Sequence, residues 1–182
     1  MRTVTKLLAA VGLAFLVGTV VLGVWVGRRG FSAREHPSAV EEFLARNVRR
    51  LALPAEAKGL TNPSPLTPET LPAAREHWVH HCAGCHGLDG RGETVLGRNL
   101  YPKPPDLRRA ATQGLADGEL FTIISNGVRF TGMPAWGGED SPEEIWQLVG
   151  FIRRLPALSA EELKQMEAQA AGSRPHTDTH KH

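Results

Sequence analysis

Cys82-Ala83-Gly84-Cys85-His86 sets two thiols three positions apart and an imidazole directly after the second. Two thiols at this spacing can each add to one vinyl group of the same haem. The histidine that follows is then held close to the iron, where it can serve as an axial ligand. The 182-residue chain has no other cysteine. One covalent haem therefore uses the whole thiol complement and leaves none over.

Two other chemistries compete for the same residues. Dithiol–disulfide exchange uses a bare C-x-x-C at the start of a helix that follows a strand, whereas residues 73–79 read as helix with no strand run before them. A zinc site needs four ligands. His80, His81, Cys82, Cys85 and His86 offer enough donors but crowd them on one turn, without a second ligand pair at a distance. The pattern fits haem attachment best.

A haem iron with one histidine has a sixth position, and what fills it separates electron transfer from ligand chemistry. Of the three methionines, Met1 precedes a long apolar run and Met166 falls on a late charged segment, expected to lie outside the compact domain. Met133 sits in Thr131-Gly132-Met133-Pro134-Ala135-Trp136. Gly132 permits a tight backbone, Pro134 stiffens the next turn, and Trp136 can shield the iron from water. Met133 is the expected sixth ligand. His77, His80 and His81 are alternative axial ligands, but solvated helix residues are the simpler reading.

These residues together resemble a class I monohaem cytochrome c domain, similar to the cytochrome c group of cbb3-type oxidase subunits. The resemblance rests on W-V-H-H-C-A-G-C-H-G at 78–87, P-K-P-P-D-L at 102–107, N-G-V at 126–128, and the stretches 132–136 and 145–155. It implies an all-α fold of three main helices around one covalent haem c, the first and last crossing near the haem edge. It also implies His86 and Met133 on the iron, and a proline carbonyl, from Pro102, Pro104 or Pro105, orienting His86 as an outer hydrogen-bond partner. The family's usual G-P-N-L appears here as Gly97-Arg98-Asn99-Leu100, with Arg98 in the proline's place. Arg98, Tyr101 and Trp136 are candidate partners for a haem propionate, each equally readable as a surface or packing residue.

Three helices must position this chemistry. Residues 71–81 deliver the chain into the thiol motif. Residues 117–126 open on Asp117 as a cap candidate, bury Leu120, Ile123 and Ile124, and stop at Gly127. Residues 142–155 follow Ser141 as cap and open on Pro142 and Glu144 as start signals. Ile145, Leu148, Val149 and Ile152 form their apolar face, and Arg153 and Arg154 stand at the negative end. A domain of 67–156 is small for an unassisted core, and a haem supplies apolar surface to pack around.

Outside that domain, residues 7–26 form an apolar run long enough, at about 1.5 Å per residue, to span a bilayer core. It exceeds the roughly 7–15 residues of a signal-peptide core and ends in Gly27-Arg28-Arg29 without a good cleavage site. Retention as an anchor is expected. Cations on both sides give no orientation by charge; the haem motif, attached outside the cytoplasm, implies a periplasmic or equivalent location. A helix over 38–54 starts with a Ser38–Glu41 capping box and aligns Val40, Phe43, Leu44, Val48 and Leu51 on one face. It suits either an anionic membrane surface or a packing role. Pro54, Pro63, Pro65 and Pro68 mark a connector. A charged helix over 159–170 and a polar, disordered tail with His176, His180 and His182 close the chain.

The expected organisation is thus 1–29 anchor, 30–66 amphipathic helix and connector, 67–156 haem domain, and 157–182 charged helix and tail. The formal charge is +2, with 21 basic and 19 acidic residues. Setting aside Arg2, Lys6, Arg28 and Arg29 leaves 17 basic residues against 19, or −2, which is not the footprint of a nucleic-acid binder. The function expected is single-electron transport between respiratory or dehydrogenase partners, without enzymatic activity. A quinol-oxidising complex, a dehydrogenase or a terminal oxidase would be the partner. The alternatives are a peroxidase or gas-binding haem protein with a labile sixth ligand, and a fixed electron-transfer subunit of a larger complex.

Overall fold

Helix α1 (Arg2–Arg29) has charged ends and an apolar middle, with a mean hydropathy of 2.6 over an 18-residue window, and is long and apolar enough to cross a membrane. Thr19, in the middle of the run, donates its hydroxyl to the carbonyl of Phe15 at 2.9 Å, so this polar atom is satisfied within the helix. The structure, a computed structural model, describes residues 2–29 and 32–172. The tail histidines His176, His180 and His182 lie outside the described residues. The chain divides into two units, residues 1–35 and residues 36–182. Among the described residues there is no strand, and the architecture is all-α, as expected of a class I cytochrome c fold.

The second unit opens with α2 (Ala39–Ala52). Its capping box forms as expected: Ser38 N–H donates to Glu41 Oε2 at 2.6 Å, and Glu41 N–H donates to Ser38 Oγ at 3.3 Å. A 3-10 turn (Ala55–Gly59) and an irregular connector lead to α3 (Leu71–His77). The expected helix over 71–81 is longer and less regular than its periodicity indicates. It runs from α3 through a π-helical turn (Trp78–Cys82) directly into α4 (Ala83–His86). A widened turn shifts the side-chain phase for the residues that follow, and such turns concentrate at functional sites.

A short α5 (Ala110–Gln113) precedes α6 (Asp117–Asn126), and α7 (Pro142–Arg154) and α8 (Ala160–Gly172) follow. Asp117 is the first helical residue of α6 and not its cap. Ala116 occupies the cap position, with its N–H donating to Glu119 Oε2 at 2.8 Å. The Asp117 carboxylate accepts instead from Arg153 Nε at 2.8 Å. Arg153 also donates to the carbonyls of Gln113 and Leu115, so the end of α7 is pinned to the turn before α6.

One core joins these helices. Ala74 and Trp78 of the first helical run meet Ile145, Leu148, Val149, Phe151 and Ile152 of α7, with Leu120 and Ile124 of α6 alongside. Each large apolar side chain buried there contributes about 1.5–3 kcal/mol. Met166 corrects one expectation. It does not lie outside the core but is 0% exposed within it, because α8 packs back on α3 and on the π turn. Few apolar residues on a charged helix are enough when they fall on one side and a neighbouring face has room for them. Arg75 Nη1 secures the same contact by donating to Gln165 Oε1 at 2.8 Å.

Candidate haem site

The helical run from Leu71 to His86 carries both thiols and the imidazole on its last turns. Cys82 and Cys85 are free and half-buried. Burial first, then the charges of Asp140 and Cys85, push the Cys82 thiol up to about 12. A redox dithiol requires the opposite, a thiolate stabilised at a helix start. Here the first thiol sits inside a helical run, protonated and shielded. Among the described residues no group of three or more His, Cys, Asp or Glu side chains is placed to hold a metal ion by itself, so the zinc reading gains no support.

His86 is held against the core, its ring centroid 6.1 Å from that of Trp78. Burial pulls it down to about 4, so at neutral pH it is an uncharged imidazole, the form that ligates a metal. Its Nδ1 is buried without a hydrogen-bond partner. The expected bond from this atom to a proline carbonyl is therefore not made. Pro104 nonetheless comes close to the loop behind His86: a Cβ added at Gly92 would stand 2.6 Å from the Pro104 carbonyl oxygen. Gly92 has φ +77 and donates its N–H to the His86 carbonyl at 2.6 Å, so only glycine fits both the angle and the space. Pro102 and Pro105 show no such approach to the motif among the described contacts.

Residues not singled out by sequence hold the motif in place. Thr94 donates its hydroxyl to the carbonyls of Gly84 (2.7 Å) and Cys85 (3.3 Å) and accepts from Gly97 N–H at 2.8 Å. It thereby satisfies carbonyls left open at the end of α4. Trp78 is buried and donates Nε1–H to the Leu88 carbonyl at 3.2 Å. Only the general preference of threonine for turns could have suggested the first, and the second depends on where Leu88 folds.

The Met133 loop is hooked back on α6. Val128 N–H donates to the Met133 carbonyl at 3.1 Å, Met133 N–H donates to Thr131 Oγ1 at 3.1 Å, and Trp136 N–H donates to the Ile124 carbonyl at 3.1 Å. Gly127, at φ +64, leaves space in which a Cβ would meet the Pro134 carbonyl carbon at 2.5 Å. Met133, Trp136 and Cys82 are half-buried and border the same core cluster.

The remaining candidates divide. Trp136 stacks edge-on against His81 at 5.4 Å, and His81 against His77 at 4.8 Å. His77 Nε2 lies 3.1 Å from Asp140 Oδ2, with side chains 13% and 11% exposed. This occupies His77 and His81 with each other, with Trp136 and with Asp140, while His80 is exposed. Tyr101 donates to Glu41 Oε1 at 3.0 Å, and Arg98 donates to the Glu93 carbonyl at 3.1 Å. Of the three propionate candidates, only Trp136 packs against the core cluster that Cys82 and Met133 also border.

An uncharged imidazole, two free thiols one and four residues before it, and a thioether at the border of the same core form a donor set that fits a c-type haem. Residues 69–152 match the sequence family described as "Cytochrome C oxidase, cbb3-type, subunit III". The chain is also 32% identical over 124 residues to the "Cbb3-type cytochrome c oxidase subunit FixPc" of Rhizobium leguminosarum bv. viciae. That alignment takes in 68% of this chain and 40% of the relative, so the chain spans about two fifths of the relative's length. Among solved structures, a chain of the "Kuenenia stuttgartiensis reducing HAO-like protein complex" is similar, with 24% identity, a TM-score of 0.46, and coverage of 53% of this chain and 49% of that one.

Proposed function

We infer, from a chain whose residues 69–152 form a cytochrome c domain similar to those of cbb3-type oxidase subunits, that this haem-binding, electron-transferring protein is a membrane-tethered carrier with one covalent haem. Cys82 and Cys85 would hold the haem by thioether bonds, with His86 and Met133 on the iron. A haem bound there supplies one-electron cycling between ferrous and ferric iron. The observation that carries the reading is His86: a half-buried, uncharged imidazole, its Nδ1 buried, one residue after the second of two free thiols.

The chain's own residues do the rest. Trp78 and Thr94 fix the helix end and the loop behind His86, so the imidazole is preorganised. The Met133 loop, stiffened by its return bonds to α6, sets the thioether at the edge of the core. With His86 and Met133 both holding the iron, no position would be left open for a substrate, which favours a carrier over a peroxidase or gas-binding protein. Residues 1–29 would be a retained anchor, 30–66 the amphipathic helix and connector, 67–156 the haem domain, and 157–182 a charged helix and tail. The haem domain would face the periplasm or its equivalent. Its partners would be redox proteins of that membrane; the similarity to an oxidase subunit favours a terminal oxidase, alongside a quinol-oxidising complex or a dehydrogenase. Tethering would confine the domain to the neighbourhood of those partners.

The test is detergent-purified full-length protein. Haem should remain on the polypeptide after denaturation, the reduced protein should resist carbon monoxide, and mass spectrometry should find residues 2–29 present. Haem that extracts into acidic organic solvent, or rapid carbon monoxide binding, overturns the assignment. A mature terminus near Arg34 overturns the anchor alone.

A further inference from the structure

Helix α2 stands with its apolar side outward. Val40, Phe43, Leu44, Val48 and Leu51 fall on one face and are all exposed, Leu51 to 86%. The stripe from Val40 to Leu51 is about 16 Å long at 1.5 Å per residue. Asn47 lies within this arc, and its amide is turned into the helix, donating to the Phe43 carbonyl at 2.7 Å. One amide N–H is thereby bonded within the helix, and Asn47 remains a polar interruption in an otherwise apolar arc.

The helix touches the rest of its unit through the other side. Glu41 accepts from Tyr101 at 3.0 Å, and Arg49 turns inward with its Nε buried. Turning the stripe toward the core would break these contacts. Periodicity alone suggests the reverse arrangement, since an amphipathic helix on a globular domain ordinarily buries its apolar face.

We propose that α2 lies in the surface of the membrane crossed by α1, its Val40–Leu51 stripe in the acyl boundary and its polar side carrying the haem domain. This rests on the reading of α1 as a retained span. Three observations favour lipid over a protein occupant. Nine residues separate the end of α1 at Arg29 from the start of α2 at Ala39, a tether of about 30 Å at full extension. The stripe is therefore covalently confined to the neighbourhood of the bilayer surface. Arg46 and Arg50 stand on one flank of the stripe, and Arg28, Arg29 and Arg34 lie before it in the chain, a distribution that complements anionic headgroups. The stripe is aliphatic apart from Phe43, whereas the centres of protein interfaces favour aromatic and arginine anchors.

The test uses the full-length protein in phosphatidylcholine–phosphatidylglycerol vesicles, with a spin label on one introduced cysteine at a time. Wild type serves as the labelling blank. Leu44→Cys reports the stripe, Glu42→Cys the polar side and Leu16→Cys the span. The Leu44 label should be open to oxygen and several-fold less accessible to an aqueous nickel complex than the Glu42 label. A Leu16 label in lipid together with a Leu44 label open to nickel overturns the proposal while the span stands. A Leu44 label closed to both reagents means protein covers the stripe, a second copy or a partner, and also overturns it. A Leu16 label outside lipid removes the span, and the proposal falls with it.

Discussion

The indole N–H of Trp78 donates to the carbonyl of Leu88 at 3.2 Å, tying the helical run before the thiol motif to the loop after it. Trp78 also packs on Phe151 of α7, with ring centroids 5.6 Å apart, and on His86 at 6.1 Å. One side chain thus joins the motif, its loop and α7. Trp78→Phe keeps most of the packing but leaves the Leu88 carbonyl without its donor, and should cost about 1–3 kcal/mol. Trp78→Ala should cost about 3–5 kcal/mol. Denaturant titration of the haem-loaded protein checks both, and a Trp78→Phe variant as stable as wild type would remove the bond from the account.

Met133 and Met166 separate ligand from packing. Met133→Ala should open the iron to water and added ligands and lower the reduction potential, since a thioether favours the reduced metal. Met166, fully buried, should tolerate leucine at a cost below about 1.5 kcal/mol, with the absorption spectrum unchanged. Unchanged spectrum and potential in Met133→Ala would return the sixth position to a histidine or leave it open.

Two glycines in and beside the motif should respond in opposite ways to alanine. Gly92→Ala forces a side chain to φ +77 and against the Pro104 carbonyl, so it should destabilise by more than about 1 kcal/mol and reduce haem incorporation. Gly84→Ala adds a methyl group on α4 with nothing within 4 Å, and should be neutral or stabilising by up to about 1 kcal/mol. Thermal melts of the pair decide it; equal losses would contradict the close approach at Gly92.

Two carboxylates give the protein an acid-sensitive margin. The Arg108 side chain beside Asp106 holds that carboxyl down to about 2 from an ordinary 3.8. Glu162 is held to about 2 from 4.5 by the Ser159 backbone N–H, followed by Arg154 and the Ser159 hydroxyl. Both folded values lie below the unfolded ones. Their stabilisation is therefore complete above about pH 4.5 and is lost as the pH falls toward 2. Asp106→Asn should flatten part of that acid dependence while changing little at neutral pH beyond the loss of the Arg108 pair. An identical slope in wild type and variant would rule out Asp106 as a contributor.

The comparison of chain and structure divides along range. Cys82, Cys85 and His86 are legible because thioether chemistry needs a fixed local spacing, and the Ser38–Glu41 and Ser141–Glu144 boxes are legible because a cap spans only three residues. Buried Ile145, Leu148, Val149 and Ile152 follow from a helical period. Asp117 suits a cap because it is a carboxylate just before an apolar run, but a distant arginine claims it here.

What the sequence determined by itself is the donor set and the helices, since both are set by residues a few positions apart on a chain of known pitch. Only the tertiary structure decided what those helices face. Met166 joins the core because α8 returns to α3. Thr94 and Leu88 serve the motif because their loop folds over its end. The stripe of α2 points outward because Glu41 pairs with Tyr101 and the Arg49 side chain turns inward, its Nε buried. Periodicity marks an apolar face, but its direction is set by contacts between residues far apart in the chain, and local spacing carries no record of them.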